Sequence, residues 1–338
     1  MENKSNNVSA GPYSAVIAGT GAYLPEKTLT NKELETMVDT SDEWITTRTG
    51  IKVRHIASDD ETTATIGTEA AKIAIEDAGI TAKDIELIVV ATVTPEMVFP
   101  STACFIQDAI GAKNAWAFDL NAACSGFVYA LSIAQQFISS GKYKNALIIG
   151  VETLSKITNY QDRGSCILFG DGAGAVVVKR DEKRDHGIMY SNSSSDGGGW
   201  TSLNCPAYGS RYPSDKPLDD PSMIKMEING REIYHLAVRR IVEMVNDCLE
   251  KCDFTIDDID MFIPHQMNAR IIESVAKRLK FNEEQVFINI EKFGNTSAAS
   301  IPIALDDCYR QGKIKSGDIV LLAAFGAGLT WGANIIRF

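Results

Sequence analysis

Two stretches of this chain repeat two others, and a duplicated chain folds most simply as two copies of one unit packed about a pseudo-twofold axis. Gly79-Ile-Thr-Ala-Lys-Asp-Ile-Glu-Leu-Ile-Val-Val90 parallels Asp253-Phe-Thr-Ile-Asp-Asp-Ile-Asp-Met-Phe-Ile-Pro264, each a turn and a short acidic segment leading into a buried strand. Gly141 to Val151 is echoed by Gly312 to Leu322, and both glycines close an amphipathic helix. Strands and helices alternate along most of the chain, which predicts an α/β architecture with parallel strands carrying functional groups at their ends. Cys124 lies 17 residues before Gly141, and Asn295 lies 17 before Gly312, so the repeat puts Asn295 at the place equivalent to Cys124. A twofold duplication brings both helix N-termini to the middle of the molecule, where a shared catalytic centre is geometrically natural.

The run Asn121-Ala-Ala-Cys124-Ser-Gly-Phe127 sets a cysteine at a strand-to-helix junction. Before it, Trp116, Phe118 and Leu120 alternate as in a strand; after it, Phe127, Ala130, Leu131, Ala134, Phe137 and Ile138 recur at helical spacing. Unpaired N–H groups and the positive end of the helix dipole predict a thiol pKa lowered from about 8.5 towards roughly 3.5–7.5, hence a nucleophilic thiolate. A buried free cysteine is otherwise only a small hydrophobe, and the local pattern alone does not separate the two readings.

Of four histidines, His55 sits in a charged run, His186 in a charged turn and His235 on a helix. His265 differs, because it follows Met261-Phe-Ile-Pro264 at a strand end and precedes an amphipathic helix, in the half opposite Cys124. Asn295, in Phe293-Gly-Asn-Thr-Ser-Ala-Ala-Ser300, is placed as a helix cap, a role compatible with catalysis. Ala324-Phe-Gly326-Ala-Gly328-Leu-Thr-Trp-Gly332 follows a strand, and its glycines permit a tight loop whose N–H groups point at a reacting carbonyl. Cys, His and Asn in that order, with 141 residues between the first two, also fit papain-like hydrolases. Cys124 lacks their surrounding signature, however, and the chain is internally duplicated without a secretory segment. A nicotinamide enzyme is weakly supported: Gly19-Thr-Gly21 does not open a helix, and Gly170-Asp-Gly-Ala-Gly174 precedes the strand-like Ala175-Val-Val-Val178.

With 338 residues, 45% of them hydrophobic, the chain can bury a large core. A net charge of -11 argues against generalised binding to nucleic acid or anionic membranes, while leaving room for a local basic patch. The polar start reads as a flexible tail over residues 1–13, without a signal peptide, and no apolar run approaches membrane-spanning length; a cytoplasmic location follows as an expectation. Seven cysteines form no C-x-x-C pair, and Cys248 and Cys252 have no histidine partners, which favours free thiols over disulfides or a metal site.

With these residues assembled, the sequence resembles the 3-oxoacyl-[acyl-carrier-protein] synthase III family of thiolase-like condensing enzymes over roughly residues 14–338. The resemblance rests on Asp39-Thr-Ser-Asp-Glu-Trp44-Ile-Thr-Thr-Arg48-Thr-Gly-Ile51, Phe99-Pro-Ser-Thr-Ala-Cys104, Asn121 to Phe127, Asp162-Arg163-Gly, Phe169-Gly-Asp-Gly-Ala-Gly174, Pro264-His-Gln, Gly294-Asn-Thr-Ser and the terminal Gly-Ala-Gly-Leu-Thr-Trp-Gly. Each is weak alone; their order and spacing are specific. The resemblance implies a five-layered α-β-α-β-α thiolase fold from two duplicated halves, 14–185 carrying the nucleophile and 186–338 carrying the histidine and asparagine, with 191–222 as loops over the pocket. It also implies a homodimer that needs no cofactor.

By the same resemblance Cys124 takes an acyl group from acyl-CoA, malonyl-ACP decarboxylates and attacks the acyl-enzyme, and 3-oxoacyl-ACP, CoA and carbon dioxide leave. His265 and Asn295 would stabilise the enolate, and the N–H groups of Cys124 and Ala327 would form the oxyanion hole for acyl transfer. Many members have glycine where Ala327 stands. Trp44, Arg48, Thr49, Arg163 and Asn268 correspond to the CoA site, Phe99 and Phe169 to the acyl pocket, the former reaching across the dimer. Gln266, Met267, Asn268, Ala269, Arg270, Lys277 and Arg278 correspond to the carrier-protein surface. A degradative or biosynthetic thiolase would carry a second cysteine where Ala324-Phe-Gly-Ala-Gly328 stands, and elongating condensing enzymes carry a second histidine where Asn295 stands. A specialised acyltransferase of a secondary pathway keeps the same triad, and a silent partner subunit would need none of it.

Overall fold

The computed structural model describes residues 11–338; most of the expected N-terminal tail, residues 1–10, lies outside the described residues. The first sheet contains β1 (Ser14–Tyr23), β2 (Leu87–Ala91), β3 (Trp116–Leu120), β4 (Asn145–Glu152) and β5 (Gly172–Asp181), in the order β1-β5-β4-β2-β3. The second contains β6 (Gly187–Ser195), β7 (Met261–Pro264), β8 (Ile319–Gly326) and β9 (Thr330–Arg337), in the order β7-β8-β9-β6. The pairs β2/β3, β2/β4 and β7/β8 are parallel, and the pairs β4/β5, β8/β9, β1/β5 and β9/β6 are antiparallel. The counterpart of β3 in the second half is reduced to a single bridge between Phe262 and Val286.

The helices needed for the argument are α1 (Asp42–Thr49), α2 (Thr63–Asp77), α3 (Thr102–Ile110), α4 (Gly126–Ser139), α5 (Gly230–Cys252), α6 (Ala269–Leu279) and α7 (Ser300–Arg310). Side chains alternate across each strand. On β2, Val89 joins Phe127 and Leu131 of α4 and Ile301 and Leu305 of α7 in a central cluster that also takes Ile263, Val320 and Leu322 from the second sheet. Ile88 and Val90 point the other way, onto Ile66 and Ala70 of α2 and Ile106 of α3. The far face of the second sheet, Phe262, Leu321 and Ile335, is covered by Val238 and Ile241 of α5 and Ile271 and Val275 of α6. The layers therefore run α-β-α-β-α. Strands covered on both faces have no reason to alternate with polar residues, which is why Leu87–Ala91 and Asn145–Val151 are nearly unbroken apolar runs.

The duplication extends to small details. Gly79 and Asp253 both take positive φ, at 64° and 53°. Each leads into a short 3-10 turn closed by a capping box, Thr81 with Asp84 and Thr255 with Asp258. These positions, the starts of β2 and β7 (87 and 261) and those of β4 and β8 (145 and 319) are all 174 residues apart. So are the 3-10 turns Ala123–Ser125 and Ser297–Ala299, whose first residues share the same left-handed φ, 47° and 49°. This corrects the expected equivalence of Asn295 with Cys124. Asn295 is the partner of Asn121, and Ala298 is the partner of Cys124. Counting back from the closing glycines fails because α7 has 11 residues and α4 has 14, the three-residue loss being returned in the loop before β8.

Among the described residues no helix is long and apolar enough to cross a membrane, and no cluster of three or more His, Cys, Asp or Glu side chains is placed to hold a metal ion. All seven cysteines are free thiols.

Candidate active site

The two 3-10 turns meet at the centre of the molecule. A methyl group on Gly126 would come within 2.9 Å of the Ala91 Cβ and 3.5 Å of the Ala298 Cβ, and one on Gly150 within 2.2 Å of the Ala298 carbonyl oxygen. Only glycine allows β4 and the two turns to close on one another this tightly. Cys124 occupies the middle of the Ala123–Ser125 turn, immediately ahead of α4, so the left-handed Ala123 makes an elbow that aims the thiol away from the helix. One cavity is lined by Cys124, His265 and Asn295, together with Phe169, Asn268, Met267, Phe325 and Gly326.

Each of the three polar side chains is held by the framework. His265 continues β7, its N–H donating to the Ala323 carbonyl at 2.8 Å, and is buried. Its Nδ1 lies 2.5 Å from the Ser300 hydroxyl oxygen, which also accepts the Gln266 N–H at 3.3 Å. We assign the hydroxyl proton to Nδ1, which leaves Nε2 carrying the ring hydrogen. Burial pushes the imidazole down to about 3, so it is neutral through the physiological range. Asn295 is clamped by its backbone, its N–H donating to Leu168 and its carbonyl accepting from Gly170. Its Oδ1 accepts the Ser297 N–H at 2.9 Å, so the group it has left to offer a ligand is the Nδ2 amide. The cavity thus presents two neutral donors beside a thiol, a set suited to stabilising an oxyanion or enolate next to a thioester.

The expected thiolate is not what the closed cavity favours. Burial pushes the Cys124 thiol up to about 12, the nearby Glu152 charge adds to the rise, and the Ser297 hydroxyl offsets part of it. Loss of hydration outweighs the helix terminus, and the resting thiol is protonated at neutral pH.

Across the cavity, Gly326 ends β8 against the cysteine turn. The Thr330 hydroxyl donates to the Ala122 carbonyl at 2.8 Å and the Ser125 hydroxyl to the Thr330 carbonyl at 3.1 Å, latching the 326–330 loop to the turn. Ala327 is not among the residues with positive φ, so alanine carries no backbone cost there. A Cβ on Gly326 would stand 2.7 Å from the Cys124 backbone nitrogen. Gly326→Ala is therefore expected to lower stability by about 1–3 kcal/mol through overpacking. A displaced nucleophile would also slow thiol acylation by about 10²-fold. Thermal unfolding together with a rate of active-site acylation checks both effects, and wild-type values for the pair would contradict the close approach.

The other residues singled out from the sequence divide. Trp44 is half-buried on α1, with the guanidinium carbons of Arg48 and Arg163 at 4.9 and 4.8 Å from its ring centroid. Asn268 lines the cavity mouth and caps α6, its Nδ2 donating to the Arg48 carbonyl at 3.1 Å. Arg270 reaches α1 by donating to the Thr47 carbonyl at 2.9 Å. Phe169 is buried in the cavity wall and bridges to Asn295. Phe99 is 81% exposed beside Val98 at 88%, an apolar tip that nothing among the described residues covers. Arg270, Lys277, Arg278 and Lys280 are all exposed along α6, and Ala269 is half-buried at its start.

Three expectations fail on burial. Thr49 is 2% exposed, its hydroxyl donating to Ile45 and accepting from Ile51, so it cannot face a nucleotide. Gln266 is likewise buried, its amide spent on the Pro264 and Phe287 carbonyls and the Asn289 N–H, and Met267 belongs to the cavity wall. Neither presents a docking surface. Sequence reasoning also missed Ser300, which fixes the histidine tautomer, and Arg54. Arg54 is wholly buried and donates to the Ile167 carbonyl and to Asn31 Oδ1, next to the segment that clamps Asn295. Ser300 ends a motif already noted, but nothing in the sequence pairs it with residue 265.

Comparison with known proteins places this geometry in context. Residues 118–197 match the family described as 3-oxoacyl-[acyl-carrier-protein (ACP)] synthase III, and residues 249–338 match its C-terminal region. Beta-ketoacyl-[acyl-carrier-protein] synthase III of Caldanaerobacter subterraneus subsp. tengcongensis is 54% identical, the alignment covering 96% of this chain and 98% of that protein. Its counterpart in Clostridioides difficile is 50% identical with the same coverage. The crystal structure of 3-oxoacyl-[acyl-carrier-protein] synthase III from Aquifex aeolicus superposes with a TM-score of 0.89 at 47% identity, covering 96% of this chain and all of that one.

Proposed function

The chain belongs to the 3-oxoacyl-[acyl-carrier-protein] synthase III family, acyltransferases that initiate fatty-acid synthesis, and from that premise we propose that its buried Cys124 thiol carries the primer through a ping-pong decarboxylative condensation. The observation that carries this reading is the convergence of Cys124, His265 Nε2 and the Asn295 amide on one cavity, with every other polar atom of the latter two occupied. Acyl-CoA enters, the Cys124 sulfur attacks the thioester carbon, and the backbone N–H groups of Cys124 and Ala327 receive the tetrahedral oxyanion. CoA leaves, and the acyl group stays activated as a thioester. Malonyl-ACP then loses carbon dioxide, the resulting enolate oxygen is held by His265 and Asn295, and its carbon attacks the acyl-cysteine to give 3-oxoacyl-ACP. Two neutral donors suit this step, since a carbanion made by decarboxylation needs no general base.

Trp44 and the Arg48 and Arg163 guanidiniums form the surface on which a CoA adenine and diphosphate would bind, the adenine replacing a guanidinium over the indole. Asn268 stands where the pantetheine arm passes. The uncovered Met97-Val98-Phe99 tip fits a cytoplasmic homodimer in which Phe99 closes the acyl pocket of the partner subunit. Arg270, Lys277 and Arg278 make a local basic face on a chain of net charge -11 and suit an acidic carrier protein. Reversing Lys277 and Arg278 to glutamate is expected to raise the KM for malonyl-ACP about tenfold at low salt, with little change in acyl-CoA loading. An unchanged KM at low ionic strength would remove this face from the docking site.

The function itself is tested by intact-protein mass spectrometry after incubation with a panel of acyl-CoAs, then with malonyl-ACP. A single acyl adduct on Cys124 that disappears as 3-oxoacyl-ACP forms supports the reading and names the primer. No adduct with any donor counts against acyl-CoA as the first substrate.

A further inference from the structure

Arg54 carries a charge into the interior that the reactions above do not use. It is the middle residue of the short strand Val53–His55, which pairs with Thr28–Thr30, and its side chain points inward. Among the described residues it is the only arginine or lysine that is buried, and its hydrogen bonds go to neutral acceptors. Nε and Nη2 both donate to the Ile167 carbonyl, Nε at 3.2 Å, while Nη1 donates to Asn31 Oδ1 at 2.6 Å. A charge taken out of water onto neutral partners is costly, and an apolar side chain of similar length would fill the space at less cost. What the guanidinium adds is direction, since its planar fork fixes the angles between its donors.

The two arms of that fork lead to two parts of the site. Asn31 is buried, and its Nδ2 donates to the Asp42 carboxylate at 2.7 Å and to the Ile51 carbonyl at 2.8 Å. It therefore holds α1 at its first residue and just past its last, with Trp44 and Arg48 on the helix between. Ile167 follows the turn that starts at Arg163, whose guanidinium lies on Trp44, and precedes Leu168. The Leu168 carbonyl accepts the Asn295 N–H at 2.9 Å, and the Gly170 N–H donates to the Asn295 carbonyl at 3.0 Å. The stem of Arg54 lies against this clamp as well. A Cβ on Gly294 would stand 3.1 Å from the Arg54 Cγ and 3.0 Å from the Leu168 carbonyl oxygen, and one on Gly170 would stand 3.2 Å from the Arg54 Cβ.

We propose that Arg54 is a positioning residue for both half-reactions, fixing the Asn295 amide through the Ile167 carbonyl and the CoA-binding helix α1 through Asn31. This rests on the reading above of Asn295 as an enolate donor and of α1 as the surface for the CoA nucleotide. Arg54 touches neither substrate. Its two arms make α1, the 163–170 segment and the 294–295 turn one rigid unit, so the nucleotide end of CoA and the enolate donor keep a set separation. Lysine has a single nitrogen and cannot grip Ile167 and Asn31 in the same geometry, so the conservative replacement of the charge does not replace the function.

The test compares malonyl-ACP decarboxylation and acyl-CoA loading in Arg54→Lys, Asn31→Ala, Asn295→Ala and the double variant Arg54→Lys/Asn295→Ala. Arg54→Lys should slow decarboxylation at saturating malonyl-ACP by about 10²-fold, the effect of a donor misplaced by about 1 Å. It should also raise the KM for acyl-CoA about tenfold while loading at saturation stays within a fewfold of wild type. Asn31→Ala keeps the Ile167 arm, so it should raise the same KM and leave decarboxylation near the wild-type rate. The double variant should decarboxylate no more slowly than Asn295→Ala alone, because no amide is left to position. Multiplied losses in the double variant, or wild-type decarboxylation by Arg54→Lys, would overturn the proposal in favour of a purely structural arginine. If the lysine protein does not fold, Asn31→Ala decides: a change in acyl-CoA KM alone supports the two arms, and equal slowing of both half-reactions or no change overturns them. Wild-type decarboxylation by Asn295→Ala would instead strike at the enolate reading, and the α1 arm would still be judged on the Asn31→Ala KM.

Discussion

Cys124→Ala is expected to gain no mass from any acyl-CoA, and its condensation with malonyl-ACP should fall by on the order of 10³-fold or more, because a nucleophile that forms a covalent intermediate has no partial substitute. None of the other six cysteines can stand in. Cys124 is the one cysteine lining the cavity, and the others lie away from it. The substitution removes one sulfur from a cavity wall and leaves the left-handed Ala123 and the Thr330 latch untouched, so the protein should melt within a few degrees of wild type. His265 and Asn295 are also untouched, and their task does not involve the thiol. The variant should therefore still release carbon dioxide from malonyl-ACP while making no 3-oxoacyl product. Normal condensation by Cys124→Ala would refute the ping-pong mechanism outright, and loss of both condensation and decarboxylation would mean that the thiol helps to bind or orient the malonyl group.

The parts of this site that could be read from the sequence are those written locally. Cys124, His265 and Asn295 each sit where a strand gives way to a turn and helix, and the glycines around them mark the backbone contacts that make the centre. The layers follow from unbroken apolar runs alternating with amphipathic helices. What was hidden depends on distances in three dimensions. Counting from the closing glycines puts Asn295 opposite Cys124 because a three-residue shortening of α7 and a compensating loop leave the flanking motifs in register. The sequence predicts an ionised thiol because the helix terminus is visible in it and the desolvating walls are not. Gln266 and Met267 follow a catalytic histidine on a chain segment that reads as surface, yet they turn inward to cap the end of β7. Glu152 closes an apolar strand as a lone charge, and only the fold brings it to the hydroxyls of Thr92 and Thr94.

His265→Ala and Asn295→Ala should leave acyl loading within a fewfold of wild type while each slows decarboxylation and condensation by about 10²–10³-fold, the effect of losing one preorganised oxyanion donor, about 2.7–4 kcal/mol. The asymmetry follows from where each donor is fixed. The acyl oxygen on Cys124 is served by backbone N–H groups of the cysteine turn and the latched 326–330 loop, which neither substitution disturbs. The enolate oxygen depends on His265 Nε2 and Asn295 Nδ2, whose other atoms are committed to Ser300 and Ser297. Because burial already pushes His265 down to about 3, it donates as a neutral ring at every working pH, and malonyl-ACP decarboxylation should show no histidine inflection between pH 5 and 8. Ser300→Ala removes the hydroxyl that holds Nδ1 as an acceptor, so a share of the ring population turns to the wrong tautomer. Decarboxylation should then fall by about tenfold with loading intact, a loss smaller than that of His265→Ala itself. Equal slowing of loading and decarboxylation in the histidine or asparagine variant would mean that the two oxyanion sites are one.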